Sequence, residues 1–278
     1  MKAQSLTICV PYKGCDKNCP YCISKMTGSI ETNSTVMGRN IEKAITFAKA
    51  ADVTNVIVTG KGEPCLNMSD VIILGRRFKT FPLELQTNGI VLSKKQKLVE
   101  DLYIAGYNVI AISVDSLRQL VLFTNLFRAI RKLGILSRAV VNVTQLTAPY
   151  EFENFIEICK KIGIDQLSFR KVVAPKYIED TDNERHDAVK WIQKWVYDSE
   201  YVQRFFKLLD HTLSESPLSR VLMKLPYGAT IYDYNGIAVT WFDYCVQDSN
   251  NGDDIRSLIF QEDGHMYSAW NSKASKLF

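Results

Sequence analysis

Leu6-Thr7-Ile8-Cys9-Val10 leads, through Pro11-Tyr12-Lys13, into Gly14-Cys15-Asp16-Lys17-Asn18-Cys19-Pro20-Tyr21-Cys22. The first five residues are an apolar, β-forming run of strand length, and a C-x3-C-x2-C loop follows it. Outward from this start the same signal returns five times, at Asn55 to Thr59, Leu83 to Gln86, Val109 to Val114, Ala139 to Thr144 and Gln166 to Phe169. Between the runs lie segments with apolar residues at three and four residue steps, such as Ile41 to Ala50, Lys94 to Ala105, Leu120 to Leu133 and Tyr150 to Ile162. Strand alternates with helix, which predicts βα units on a parallel sheet whose functional residues collect at the carboxyl ends of the strands. Six units are too few for the usual eight-stranded closure. The expectation is an α/β fold, a partial (β/α)6 TIM barrel over residues 1–176.

The chain has 278 residues, 46% of them hydrophobic, enough for a full core. Residues 177–278 read as an extension of the same structural domain, helical and then β-hairpin, that covers the barrel mouth. Asp182 to Leu213 forms one or two helices carrying Trp191, Trp195, Phe205 and Phe206. Tyr234-Asn235-Gly236 and Glu262-Asp263-Gly264 are turn signals between β-formers, and Asp248 to Asp254 reads as an exposed loop. Lys and Arg number 34 against 30 acidic residues, with no run of five like charges, so nucleic acid binding is not indicated. No stretch approaches the ~18 apolar residues of a membrane span, and the first residues lack a signal-peptide pattern. A cytoplasmic protein with no membrane association is expected.

Seven cysteines are present, three of them within eight residues. In a reducing compartment such a cluster points to metal binding or catalysis rather than disulfides. Cys9, Cys65, Cys159 and Cys245 are scattered and read as small buried apolar residues. Thiolates are the usual ligands of iron–sulfur cubanes, and three of them leave one iron open to an external chelate. Two other readings stand beside this one: a zinc site, and a ferredoxin-type cluster with a remote fourth ligand. Zinc usually takes two separated ligand pairs, and His186, His211 and His265 lie far apart with no partner at short spacing.

The ends of the later strands carry polar groups. The second ends in Thr59-Gly60-Lys61-Gly62-Glu63-Pro64, where glycines permit close backbone approach. The third ends in Gln86-Thr87-Asn88-Gly89 and the fourth in Ser113-Val114-Asp115-Ser116; ordinary turn capping would also place Asn and Asp there. Arg138 and Arg170 sit in apolar strands, where a guanidinium needs an anionic partner.

Taken together, these segments resemble the radical S-adenosylmethionine (SAM) superfamily, in order and placement, over about residues 5 to 176. The resemblance implies a [4Fe–4S] cluster on Cys15, Cys19 and Cys22, with S-adenosyl-L-methionine chelating the open iron. It implies that Tyr21 lies along the adenine and that Gly60, Gly62 and Glu63 hold the methionine amino group, although Lys61 replaces one of the family's paired glycines. It further implies Ser113 as a ligand to SAM and Asn142 for the ribose. Lys61, Asn88, Asp115, Arg138 and Arg170 are left as candidate substrate-binding residues, and no residue stands out as catalytic acid or base. The implied enzyme forms a 5′-deoxyadenosyl radical that abstracts hydrogen, using a flavodoxin- or ferredoxin-type electron donor. No second cysteine cluster follows, and the compact build resembles members acting on deazapurines, of the 7-carboxy-7-deazaguanine synthase or queuine lyase type. A small heterocycle is therefore the expected substrate, suited to stacking on Tyr232, Tyr234, Trp241, Phe242, Tyr244, Tyr267 or Trp270. The alternatives are modification of a protein or peptide, disfavoured by the missing auxiliary elements, and a non-enzymatic iron–sulfur sensor, disfavoured by Glu63 and Ser113.

Overall fold

Alternating burial along the strands shows how the sheet is built. In the strand Leu136–Val143, Ser137, Ala139, Val141 and Val143 are buried, while Arg138, Val140 and Asn142 are half-buried on the opposite face. The first set packs under helices; the second lines a concave polar face. The computed structural model describes residues 2–27, 30–147, 149–175, 183–225, 229–243, 255–270 and 273–278. In chain order the elements of the barrel are β1 (Ala3–Cys9), α1 (Ile23–Thr27), α2 (Ser34–Ala50), β2 (Asn55–Thr59), α3 (Met68–Phe78), β3 (Leu83–Thr87), α4 (Ile90–Lys94), α5 (Lys97–Ala105), β4 (Val109–Val114), α6 (Leu117–Leu122), α7 (Thr124–Lys132), β5 (Leu136–Val143), α8 (Phe152–Ile162) and β6 (Gln166–Lys171). After them come α9 (Asn183–Ile192), α10 (Glu200–Glu215), β7 (Ser219–Lys224), β8 (Thr230–Tyr234), β9 (Ile237–Phe242), β10 (Ile255–Phe260) and β11 (Met266–Tyr267).

The six expected strands form, side by side and parallel, in the order β1 to β6. The sheet does not close. Among the described residues its 11 strands run β11-β10-β1-β2-β3-β4-β5-β6-β9-β8-β7, so the C-terminal strands widen it at both edges. β9 lies parallel to β6, and β10 lies parallel to β1. The expected turns are present: Asn235 and Gly236 both have positive φ between β8 and β9, as a two-residue hairpin requires, and Gly264 has positive φ between β10 and β11. The loop read at Asp248 to Asp254 lies outside the described residues, as do Cys245 and Tyr244.

Two expected helices are each divided. Lys94 to Ala105 breaks at Lys95 and Gln96, and Leu120 to Leu133 breaks at Phe123. Phe123 leaves the helical conformation and buries its ring beside Gly89, at the end of β3. α7 then restarts with Leu126, Phe127 and Ile130 inward, while Arg128, Arg131 and Lys132 face away from the core.

The concave face is tied across its floor. Gln86, Ala111, Arg138 and Gln166 stand level in the ladder. Arg138 Nη1 pairs with Glu84 Oε2 at 2.6 Å, and Arg138 Nε donates to Gln166 Oε1 at 2.8 Å. Gln86 Nε2 donates to Glu84 Oε1 at 3.0 Å. At the β10 edge, Gln261 is fully buried, and neither Nε2 nor Oε1 has a hydrogen-bond partner among the described residues.

Candidate active site

The cysteine loop leaves β1 with no regular structure of its own until α1, so its shape is set by what it touches. Neighbouring strand ends hold it from several sides. From β2, the Glu63 N–H donates to the Gly14 carbonyl at 2.9 Å, and Ser24 Oγ donates to the Lys61 carbonyl. Gly62 packs against the same loop so tightly that an added Cβ would meet both Gly14 and the Tyr12 ring. From β3, Asn88 Nδ2 donates to Asp16 Oδ1 at 2.6 Å. From β4, Asp115 accepts from Lys17 Nζ at 2.6 Å and from the Tyr21 hydroxyl at 2.5 Å. From the β10 edge, the buried Glu262 accepts from the Tyr12 N–H at 2.8 Å and from Thr32 Oγ1 at 3.0 Å.

Glu63 is itself buried, and both its oxygens are engaged. Oε1 accepts from the Cys65 N–H at 2.9 Å and from Thr87 Oγ1 at 2.5 Å; Oε2 accepts from the Asn88 N–H at 2.8 Å. A carboxylate with three donors is well satisfied in a buried site. Glu63 thus joins the ends of β2 and β3 beneath the loop. Asn142, at the end of β5, donates to Asp115 Oδ1 at 3.2 Å, which ties β5 to β4 in the group. Ser113 is half-buried on the concave face of β4, and Arg170 is exposed at the end of β6. Arg138 lies deeper, on the floor, where Glu84 supplies the anion its guanidinium needs. The structure therefore gathers Gly60, Lys61, Gly62, Glu63, Asn88, Asp115, Asn142 and Tyr21 around the loop, and sets Arg138 apart from them.

Lys17, Asp16 and Gln119 belong to the same group, with little local signal in the sequence to mark them. A loop lysine is ordinarily solvated, yet the Lys17 side chain is only 18% exposed. Gln119 Oε1 accepts from the Asp115 N–H at 2.9 Å and has no motif to announce it. Trp191 of α9 is the other addition: its ring lies 5.3 Å from that of Tyr21, with Trp195 a further 6.4 Å on. Most tail aromatics are used in packing: Tyr234 meets Phe152, Trp241 meets Phe206, and the Tyr267 hydroxyl donates to Asp263 at 2.6 Å.

Cys15 is exposed and Cys19 and Cys22 are half-buried, all as free thiols. Burial pushes the Cys19 thiol up, Asp115 adds to the rise, and Lys17 opposes it. Burial likewise raises Cys15, against the N–H of Lys17, which lowers it. Both also feel the charge of Cys22, which places the three sulfurs within electrostatic reach of one another. Among the described residues, no three His, Cys, Asp or Glu side chains are already converged as metal ligands. The donor chemistry nevertheless fits an iron–sulfur cluster: three soft sulfurs on one short loop, both of whose spacers are clamped. Cys9, Cys65 and Cys159 are buried away from solvent, and burial drives the Cys159 thiol up to about 12, as suits small apolar residues rather than ligands.

Residues 9–192 match the Radical SAM superfamily. The chain belongs to that superfamily. Radical SAM members are enzymes that use a [4Fe–4S] cluster and SAM. Over 197 residues the chain is 24% identical to the 7-carboxy-7-deazaguanine synthase of Clostridium acetobutylicum, covering 69% of this chain and 87% of that one. It is 34% identical over 107 residues to GTP 3′,8-cyclase of the same organism, covering 37% of this chain and 32% of the cyclase. It therefore spans about a third of the cyclase. Among solved structures, Streptococcus suis SuiB bound to S-adenosylmethionine superposes with a TM-score of 0.60 at 14% identity, covering 96% of this chain and 60% of SuiB. The structure of anSMEcpe with bound AdoMet gives 0.60 at 16% identity, covering 99% of this chain and 77% of that one. Both likenesses support the open α/β barrel of the radical SAM fold. Among the described residues, no helix is long and apolar enough to cross a membrane.

Proposed function

We propose that this radical SAM enzyme acts on a small heterocycle of the 7-deazaguanine type, with Cys15, Cys19 and Cys22 holding the cluster. The observation that carries the substrate reading is the match to 7-carboxy-7-deazaguanine synthase, which runs along most of both chains. The polar concave face supports it, since a flat base offers an edge of donors and acceptors that such a face can meet. When bound, the cluster supplies the electron that splits SAM into methionine and a 5′-deoxyadenosyl radical, which takes hydrogen from the substrate.

The protein's own part is positioning. Gly62 lets the β2 turn approach the loop, Glu63 locks that turn to β3, and Tyr21 with Ser113 and Asn142 offers the surface for the nucleoside of SAM. Lys61, Asn88 and Arg170 stand at strand ends where a substrate edge would be read. Arg138, paired with Glu84, lies deeper on the floor. Trp191 of α9, whose ring lies 5.3 Å from that of Tyr21, would help cover the mouth, and a flavodoxin- or ferredoxin-type donor would deliver the electron.

Calorimetric titration of SAM-loaded protein with queuine, other 7-deazaguanines and unrelated peptides tests the substrate. A deazapurine should bind and accelerate release of 5′-deoxyadenosine. Binding of a peptide with no response to any deazapurine would overturn this substrate choice.

A further inference from the structure

Asp115 holds the cysteine loop in both of its spacers. Lys17 lies between the first and second cysteines, and Tyr21 lies between the second and third; one carboxylate takes a hydrogen bond from each, at 2.6 and 2.5 Å. Its backbone is held by Gln119 and Thr147, and Gln119 Oε1 also accepts from Lys17 Nζ at 3.4 Å. The Asp115 N–H donates to Gln119 Oε1 at 2.9 Å, and its carbonyl accepts from Thr147 Oγ1 at 2.9 Å. The next residue, Ser116, caps α6 through the Gln119 N–H at 3.2 Å, so Asp115 sits at a pinned junction between β4 and α6. Asn142 is a third donor to the carboxylate, to Oδ1 at 3.2 Å, leaving little of it free for a substrate.

We propose that Asp115 is a positioning residue for the cluster: it shapes the C-x3-C-x2-C loop through Lys17 and Tyr21, and it balances the charge of Lys17 beside the sulfurs. This rests on the cluster assignment to Cys15, Cys19 and Cys22 and not on the identity of the substrate. Two consequences differ from those of a merely structural residue. Losing the carboxylate frees both spacers at once, so fewer chains should assemble a cluster. It also leaves the Lys17 ammonium uncompensated near the cluster, which favours the reduced, more negative state. Losing Lys17 instead leaves the anion uncompensated and favours the oxidised state. The two substitutions should therefore shift the cluster's midpoint potential in opposite directions.

The experiment is anaerobic reconstitution of the full-length chain as wild type, Asp115→Asn, Lys17→Met and the double variant, without substrate. Iron and sulfide are counted, and the potential is titrated by electron paramagnetic resonance. Asp115→Asn should hold severalfold less cluster, at a raised potential. Lys17→Met should have a lowered potential, and the double variant should return towards wild type in potential but not in occupancy. Wild-type occupancy with unmoved potentials in both single variants would overturn the proposal. If Asp115→Asn does not fold, Lys17→Met decides: a lowered potential supports the proposal and an unchanged one overturns it. Failure of the wild type to take up iron would instead count against the cluster assignment, and so remains distinguishable.

Discussion

A Cβ placed on Gly62 would collide with the carbonyl oxygen of Gly14. The β2 turn and the cysteine loop thus meet backbone to backbone, and the neighbour that would have to yield is main chain rather than a flexible side chain. Gly62→Ala is expected to push the loop outward at a cost of about 1–3 kcal/mol. Iron uptake on reconstitution should fall while α/β content by circular dichroism stays unchanged. Full iron loading and wild-type SAM affinity in this variant would show that the loop does not need the contact.

Glu63 receives two N–H donors and one hydroxyl, an arrangement that an amide cannot reproduce because one of its two ends is itself a donor. Glu63→Gln should weaken SAM binding about tenfold, equivalent to ~1.4 kcal/mol, and lower the melting temperature. Isothermal calorimetry with SAM on reconstituted protein measures the first effect. Unaltered affinity would mean that the β2–β3 lock has no part in the SAM site.

The three loop cysteines should bind about four irons per chain. Cys19→Ala should abolish the cluster, and Cys159→Ala should leave it intact. Since burial raises the thiols of Cys15 and Cys19, these groups hold their protons to higher pH in the metal-free protein. A metal must displace those protons, so its apparent affinity falls as pH falls. Cobalt(II) titration of the apoprotein should show weaker binding at mildly acidic than at mildly alkaline pH. Stoichiometric zinc in the protein as purified, with turnover in air, would refute the cluster assignment.

Breaking the floor pair should be more costly than removing it. Arg138→Leu strands Glu84, whose side chain is only 9% exposed, and should cost about 3 kcal/mol in urea unfolding. Arg138→Leu combined with Glu84→Leu should recover most of that loss. An equal or greater loss in the double variant would argue that the pair contributes net stability rather than merely satisfying itself.

The buried Gln261 amide has two polar atoms without a hydrogen-bond partner among the described residues. Replacing it with Leu, close to it in volume, should raise stability by about 1–3 kcal/mol, seen as a higher melting temperature. A destabilised Gln261→Leu would show that the amide has a partner in solution.

How much of this was readable in the sequence varied with the range of the interaction. The six parallel strands were legible because each β-branched run lies between segments of helical period, and both signals are local. The cysteine spacing was legible for the same reason. Arg138 could be marked as a guanidinium in want of an anion, but its partner Glu84 lies 54 residues away and is chosen by register across β4. Both C-terminal hairpins announced their turns, yet which sheet edge each would join depends on contacts far along the chain. β7, almost fully exposed along Ser219–Lys224, has no inward–outward alternation to mark it as a strand. Nothing local separates a solvated lysine from one held, as Lys17 is, by a carboxylate on another strand.

The placement of β10 beside β1 bears on how the chain can be made. Ala3 pairs with Ile255 and Ile8 with Phe260, so β1 gains one of its two neighbours only after β2 to β9 have been translated. Until then β1 presents an open parallel edge with its apolar side chains unshielded, a template for wrong pairing. Late arrival of the final strands also delays the seating of Glu262 under Tyr12, the tie that holds the root of the cysteine loop from that side. Until Glu262 is made the cysteine loop lacks one of its anchors, and cluster insertion is expected to follow, rather than guide, completion of the sheet.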